Sequence, residues 1–231
     1  MNEFFEEGSA INTLDMSSVL KKTFLWLFVG IIISGAAAFM VFNSETLTDA
    51  LYTSFAPMII LMIAELALVV ILSRALNSLS YPMAIVGFIA YSIVNGLTLS
   101  CIFFVYELGS IINVFFMTAG VFGLMAFIGY TTNVDLSRIG NICMIGLVGI
   151  IIASLINLFI GSTGLDLIIT VIGIVIFIGL TAYDIQKIKQ YSENPAINSN
   201  ENLPIICALT IYLDFINIFL KLLSLFGKRR D

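Results

Sequence analysis

Seven long apolar runs, separated by short polar breaks, fill most of this chain. They lie near 23–42, 53–73, 81–105, 111–130, 139–161, 166–190 and 204–226, each long enough to cross roughly 30 Å of hydrocarbon as a helix. The runs are continuous rather than alternating, which reads as helix and not strand. In lipid only helices and closed barrels pair every backbone group internally. Pro82 and Pro204 fall at span starts, where a helix tolerates a missing N–H. The pattern predicts an all-α integral membrane protein with seven transmembrane helices. A leader covers 1–22, the transmembrane domain 23–226 with a polar linker at 191–203, and a basic tail 227–231. Lys21-Lys22 ahead of span 1 and Ala36-Ala37-Ala38 within it also fit a cleaved signal peptide. Against that reading, the leader is long and acidic and the apolar run continues past the alanines.

Composition sharpens this picture. Of 231 residues, 60% are hydrophobic and 11% charged, with a mean hydropathy of +1.08, too few charges for a surface facing water on all sides. A net charge of -5 offers no basic patch, so nucleic acid is not an expected partner. Histidine is absent, which excludes His-ligated metal and His-based catalysis. Any response to pH near neutrality then falls to carboxylates. Cys101, Cys143 and Cys207 are isolated in apolar runs without a CxxC pair and read as small core residues. No soluble domain and no phosphate-binding glycine motif is present, so neither an enzyme nor a cofactor is expected.

Basic residues set the expected orientation. Lys21, Lys22, Arg74, Arg138, Lys187 and Lys189 share the N-terminal side, and the alternate loops 43–52, 106–110 and 162–165 have no Lys or Arg. The N-terminus is expected to be cytoplasmic. Seven spans then place Lys228-Arg229-Arg230 outside, against the rule. A re-entrant last helix with both termini inside is the alternative. Small residues (Ser34-Gly35-Ala36-Ala37-Ala38, Gly120 with Gly123, Gly146 with Gly149, Gly173 with Gly179) are expected to let helices approach closely.

The chemistry concentrates in the last two runs. Cys207, Thr210, Asp214, Asn217, Lys221 and Ser224 are spaced by threes and fours and share one helical face. Such a stripe needs protein or water over it, so the last helix is expected to be central. Asp214 lies roughly 15 Å from the start of its helix and Asp184 roughly 9 Å from the end of the preceding one, at 1.5 Å per residue. Because the helices run antiparallel, the two carboxyls sit at similar depth. Acids at membrane depth mark pathways or switches. In contact, two such groups titrate as a unit, since like charges at close range cannot both ionise cheaply. A shared proton clamps the helices, and its loss leaves a pair that repels and attracts a cation.

Other readings of the same residues stay open. Asp184 is equally placed to pair with Lys187 at i+3 and face headgroups, and Asp214 to be a structural acid bonded to Asn217 or a tyrosine. Glu65, mid-span in the second helix, is a further candidate. Arg74 is placed to neutralise Asp184 or simply to snorkel. Glu65, Thr210, Asn217 and Lys221 are candidate pore-lining or cation-interacting residues.

Tyr183-Asp184-Ile185-Gln186, the run Ile211-Tyr212-Leu213-Asp214-Phe215-Ile216-Asn217-Ile218-Phe219-Leu220, and Asn95-Gly96-Leu97-Thr98-Leu99-Ser100 resemble motifs of the Bax inhibitor-1 family, in its bacterial branch. The resemblance spans essentially the whole chain. It implies a central C-terminal helix wrapped by two groups of three, a hydrogen-bonded pair formed by Asp184 and Asp214 that governs pH-dependent opening, and an arginine, Arg74, able to engage Asp184. It further implies calcium leak across a membrane, or regulation of cell death or membrane proteolysis.

The expected function is therefore a pH-sensitive, calcium-permeable leak channel in the bacterial plasma (inner) membrane. Calcium would bind weakly near Asp184 and Asp214, since a tight site wants six to eight oxygens and a conducted ion must also leave. The alternative is a non-transporting regulator that binds another membrane protein, such as a protease complex. Lys221 near the outer end and the lone Trp26 in span 1 argue against a retinal pump. The absence of a GxGD partner or a Ser–His pair argues against an intramembrane protease.

Overall fold

A computed structural model describes residues 16–75 and 78–230. It contains ten helices: α1 (Met16–Phe42), α2 (Glu45–Tyr52), α3 (Phe55–Ala75), α4 (Tyr81–Leu99), α5 (Ile102–Val105), α6 (Leu108–Thr131), α7 (Ser137–Ile160), α8 (Thr163–Glu193), α9 (Pro195–Asn198) and α10 (Leu203–Phe226). Seven stretches are long and apolar enough to span a membrane, at Ser18–Phe42, Phe55–Arg74, Tyr81–Val105, Leu108–Thr131, Ser137–Ile160, Thr163–Glu193 and Leu203–Phe226. The protein is an all-α integral membrane protein. Span 1 begins ahead of Lys21-Lys22, inside the expected leader, and residues 1–15 of that leader lie outside the described residues.

α10 is the most buried span. It packs on α8, α1, α6 and α4, while α3 packs mainly on α4 and α7 mainly on α8. Spans 2 and 5 thus stand at the periphery, and four helices form the principal sheath around α10. Among its residues Ile205, Ala208, Ile211, Tyr212 and Ile218 are fully buried.

Close helix approach falls at some of the expected small residues, since a Cβ on Gly146 or Gly179 would sit 2.8 Å from Ile176 or 2.7 Å from Cys143, and at others besides. A Cβ on Gly96 would sit 2.5 Å from the Ser34 carbonyl oxygen, and one on Gly129 would run into the Ala182 backbone. These two positions bring α4 onto α1 and α6 onto α8. Gly35, Gly120, Gly123 and Gly149 face open space instead.

The third span is interrupted near Ser100, whose hydroxyl turns back to the Leu97 carbonyl at 2.6 Å and meets the Tyr52 hydroxyl at 2.9 Å. Burial pushes the Tyr52 phenol above its ordinary range. The tail docks at this same end. Tyr106 and Arg229 form an antiparallel bridge, Lys228 pairs with Glu107 at 2.6 Å, and the Arg230 guanidinium lies 5.4 Å from the Phe42 ring centroid. α10 therefore runs the length of the bundle, ending beside the loop between α5 and α6. Lys228 meets Glu107, and Arg230 meets the Phe103 carbonyl and the Phe42 face, at the end opposite Lys187 and Lys189.

Candidate functional site

The Tyr183-Asp184-Ile185-Gln186 stretch fixes the rotation of α8. The Gln186 amide donates to the Val134 carbonyl at 2.8 Å, and its oxygen accepts the Leu136 N–H at 2.8 Å. It thereby pins the loop between α6 and α7 to α8. Ile185 is buried, and the Tyr183 ring lies against Gly140 of α7. Lys187 Nζ sits 5.6 Å from the ring centroids of both Tyr183 and Tyr191. With these neighbours set, Asp184 turns toward α10. On the other helix, Pro204 occupies the first turn, and the Asn202 amide just before it donates to the Leu79 carbonyl at 2.6 Å.

Asp184 of α8 and Asp214 of α10 are neighbours across the α8–α10 interface. Asp214 is 5% exposed, and its Oδ2 has no hydrogen-bond partner. Thr181 lies beside it, but that hydroxyl donates to the Phe177 carbonyl at 2.8 Å. Lys187 is the cation that faces Asp184, and Cys207 is a further neighbour. Buried polar atoms are almost always paired. An orphan carboxylate oxygen against a second carboxyl is an acceptor aimed where a proton or a cation completes the set.

A second polar constellation lies on another face of α10. The Asn95 amide donates to Glu65, and the Tyr212 hydroxyl donates to Asn95 Oδ1 at 2.6 Å. The Ser34 hydroxyl meets Tyr212 at 2.6 Å and lies 2.8 Å from the Ser92 carbonyl. Four spans (α1, α3, α4 and α10) are thus joined through neutral polar groups and one acid.

The remaining candidates divide. Arg74 is exposed and is not brought to Asp184, whose cationic neighbour is Lys187. Among the described residues the only ion pair is Lys228–Glu107. Thr210 is exposed and bonds back to its own helix at the Ile206 carbonyl, 3.2 Å away. Asn217 bonds back to Leu213 at 2.8 Å. Together with Lys221 it lines a cavity of about 330 Å³ between α7, α8 and α10. The Lys221 stem lies against Gly173, and its amine faces Asp166. The polar stripe is therefore the most open side of α10 and not a covered one, except at Cys207 and Asp214, which are buried. Among the described residues no three acids or cysteines cluster, so two carboxyls are the acidic donors this site offers a cation.

Residue pattern alone did not reveal the bonding of Ser34, Asn95, Gln186 and Tyr212. The first, second and fourth are single neutral polar residues within apolar runs, and Gln186 reads as part of a span end. For Asn95, Gln186 and Tyr212 the only signal was their place in the motif stretches, and Ser34 stood out only as a small residue.

The family described as inhibitor of apoptosis-promoting Bax1 matches residues 16–231. The inner membrane protein YbhL of Escherichia coli K12 is 43% identical over 218 residues, 93% of each chain. A protein of Borreliella burgdorferi is 39% identical over 216 residues, 92% of each, and one of Deinococcus radiodurans 37% over 221 residues, 95% of this chain and 94% of that one. With the family match covering residues 16–231 and relatives 37–43% identical over nearly the full chain, this protein belongs to the Bax inhibitor-1 family.

Proposed function

We propose that this protein is a pH-sensitive, calcium-permeable leak channel whose gate is the Asp184–Asp214 pair, acting without catalysing a reaction. The observation that carries the reading is the buried Asp214, its Oδ2 left unpartnered in the interior with Asp184 as its acidic neighbour. Holding a proton, one carboxyl donates to the other and ties α8 to α10. Without it, two like charges face each other in a poorly solvated interface, and either the helices part or a cation enters. Lys187 moderates the charge on Asp184, while Asp214 has no such neighbour. A site with two carboxyls falls short of the six to eight oxygens of a tight calcium site, so occupancy is weak and brief, as conduction requires. The name of the Escherichia coli relative and the basic residues at one end support a bacterial inner membrane with the N-terminus in the cytoplasm.

Calcium entry into protein-only liposomes at a series of pH values tests this. Flux that rises as the pair loses its proton is the expected result. Flux absent at every pH sinks the channel reading and favours the alternative, a regulator that binds another membrane protein.

A further inference from the structure

The protein has a second feature that the aspartate pair does not use. Between α1, α4–α5, α6 and α10, at the end where the tail docks, lies a cavity of about 440 Å³, within the roughly 300–1,000 Å³ of small-molecule sites. Its floor is apolar and buried, with Ala38, Leu99, Ile111 and Phe219 among its residues, and its rim residues Ile32, Phe39 and Phe116 are exposed. Ser34 is the one hydrogen-bonding side chain in the lining, and its hydroxyl is engaged with Tyr212 and backbone carbonyls. On α1 the lining runs from Ile31 to Phe39, roughly 12 Å at 1.5 Å per residue. Gly35 is exposed on the α1 wall of the cavity, where a Cβ would meet nothing within 4 Å. The shape and lining suit a hydrocarbon chain entering from the side.

The charge at the mouth makes the site selective. Phe103 lines the cavity, stacks on Phe42 at 5.5 Å and meets Phe39 edge-on at 6.1 Å. The Arg230 guanidinium rests over Phe42 and donates through Nη1 to the Phe103 carbonyl at 3.0 Å. Those two contacts hold a planar cation at the rim with its other N–H donors uncommitted to any acid among the described residues. Lys228 differs, because Glu107 neutralises it. Arginine forks onto phosphate oxygens in a way a point charge does not. We infer that the cavity takes one acyl chain of an anionic diacyl phospholipid from the leaflet at the tail end, with the phosphate on Arg230. The inference stands apart from the leak reading and uses none of its residues.

The test is native mass spectrometry of the full chain in detergent, challenged with equimolar phosphatidylglycerol and phosphatidylcholine. Wild type is expected to retain phosphatidylglycerol at least threefold over phosphatidylcholine. Arg230→Gln, a change at an exposed side chain, brings that ratio near one, and Lys228→Gln leaves it intact. Gly35→Leu adds bulk at the cavity wall and removes both lipid adducts, with thermal melting confirming that it is folded. Equal retention of the two lipids by wild type overturns the assignment. So does a preference that Arg230→Gln leaves unchanged, or a cavity closed by a second copy of the chain with no lipid retained.

Discussion

Two residues apart on α10, Tyr212 and Asp214 enter polar sites of opposite character. Tyr212 joins Ser34, Asn95 and Glu65 in a set where every named oxygen and amide has a partner. Asp214 meets a second acid and leaves an oxygen unpaired. A satisfied network in a low-dielectric interior rigidifies the helices that contribute to it, whereas a half-satisfied one is costly until something completes it. The α1–α4–α10 side therefore serves as the fixed frame. On the proposed reading, the α8–α10 side is the part whose energy changes with a proton or an ion.

Substitutions that enlarge a residue at the frame are expected to do most. Gly96→Val forces a side chain against the Ser34 carbonyl in a layer already shared by α1 and α4. The expected loss is about 3 kcal/mol or more, read as failure to recover a monodisperse helical protein in detergent. Asn95→Ala strips Glu65 of its donor and Tyr212 of its acceptor, with an expected loss of about 1–3 kcal/mol in thermal melting. Asp214→Asn is the sharpest contrast with both. An amide next to Asp184 supplies a donor where none existed, so melting holds or rises while the pH dependence of flux disappears. If Asp214→Asn destabilises as much as Asn95→Ala, the division into frame and switch fails. At the small end, Lys228→Ala breaks an ion pair whose side chains are 72% and 40% exposed. A shift below about 1 kcal/mol is expected.

Hydropathy reveals the framework because burial in lipid writes itself as uninterrupted apolar length. All seven spans were legible, with boundaries differing by a few residues where α8 runs on to Glu193 and α1 starts at Met16. The packing of α8 on α10, which carry Asp184 and Asp214, was readable because helices adjacent in sequence leave few alternatives. The Tyr212–Asn95 bond joins residues 117 apart, and no local spacing encodes which neutral polar residues meet. The stripe on α10 misled for a related reason. Periodicity fixes a shared face, but what covers that face depends on where the other helices stand, and here α7 leaves Thr210 exposed and Asn217 and Lys221 against a cavity. The role of the tail was hidden as well, because Lys228 and Arg230 find their partners more than a hundred residues away, at Glu107 and the Phe103 carbonyl.

The most direct measurement is a double-mutant cycle on the pH profile of calcium flux, comparing wild type, Asp184→Asn, Asp214→Asn and the double variant in protein-only liposomes. A coupled gate predicts that either single substitution flattens the profile and that the double variant adds nothing further. Independent, additive shifts from the two substitutions, or a profile unchanged in both, would contradict the assignment of the pair as a single switch.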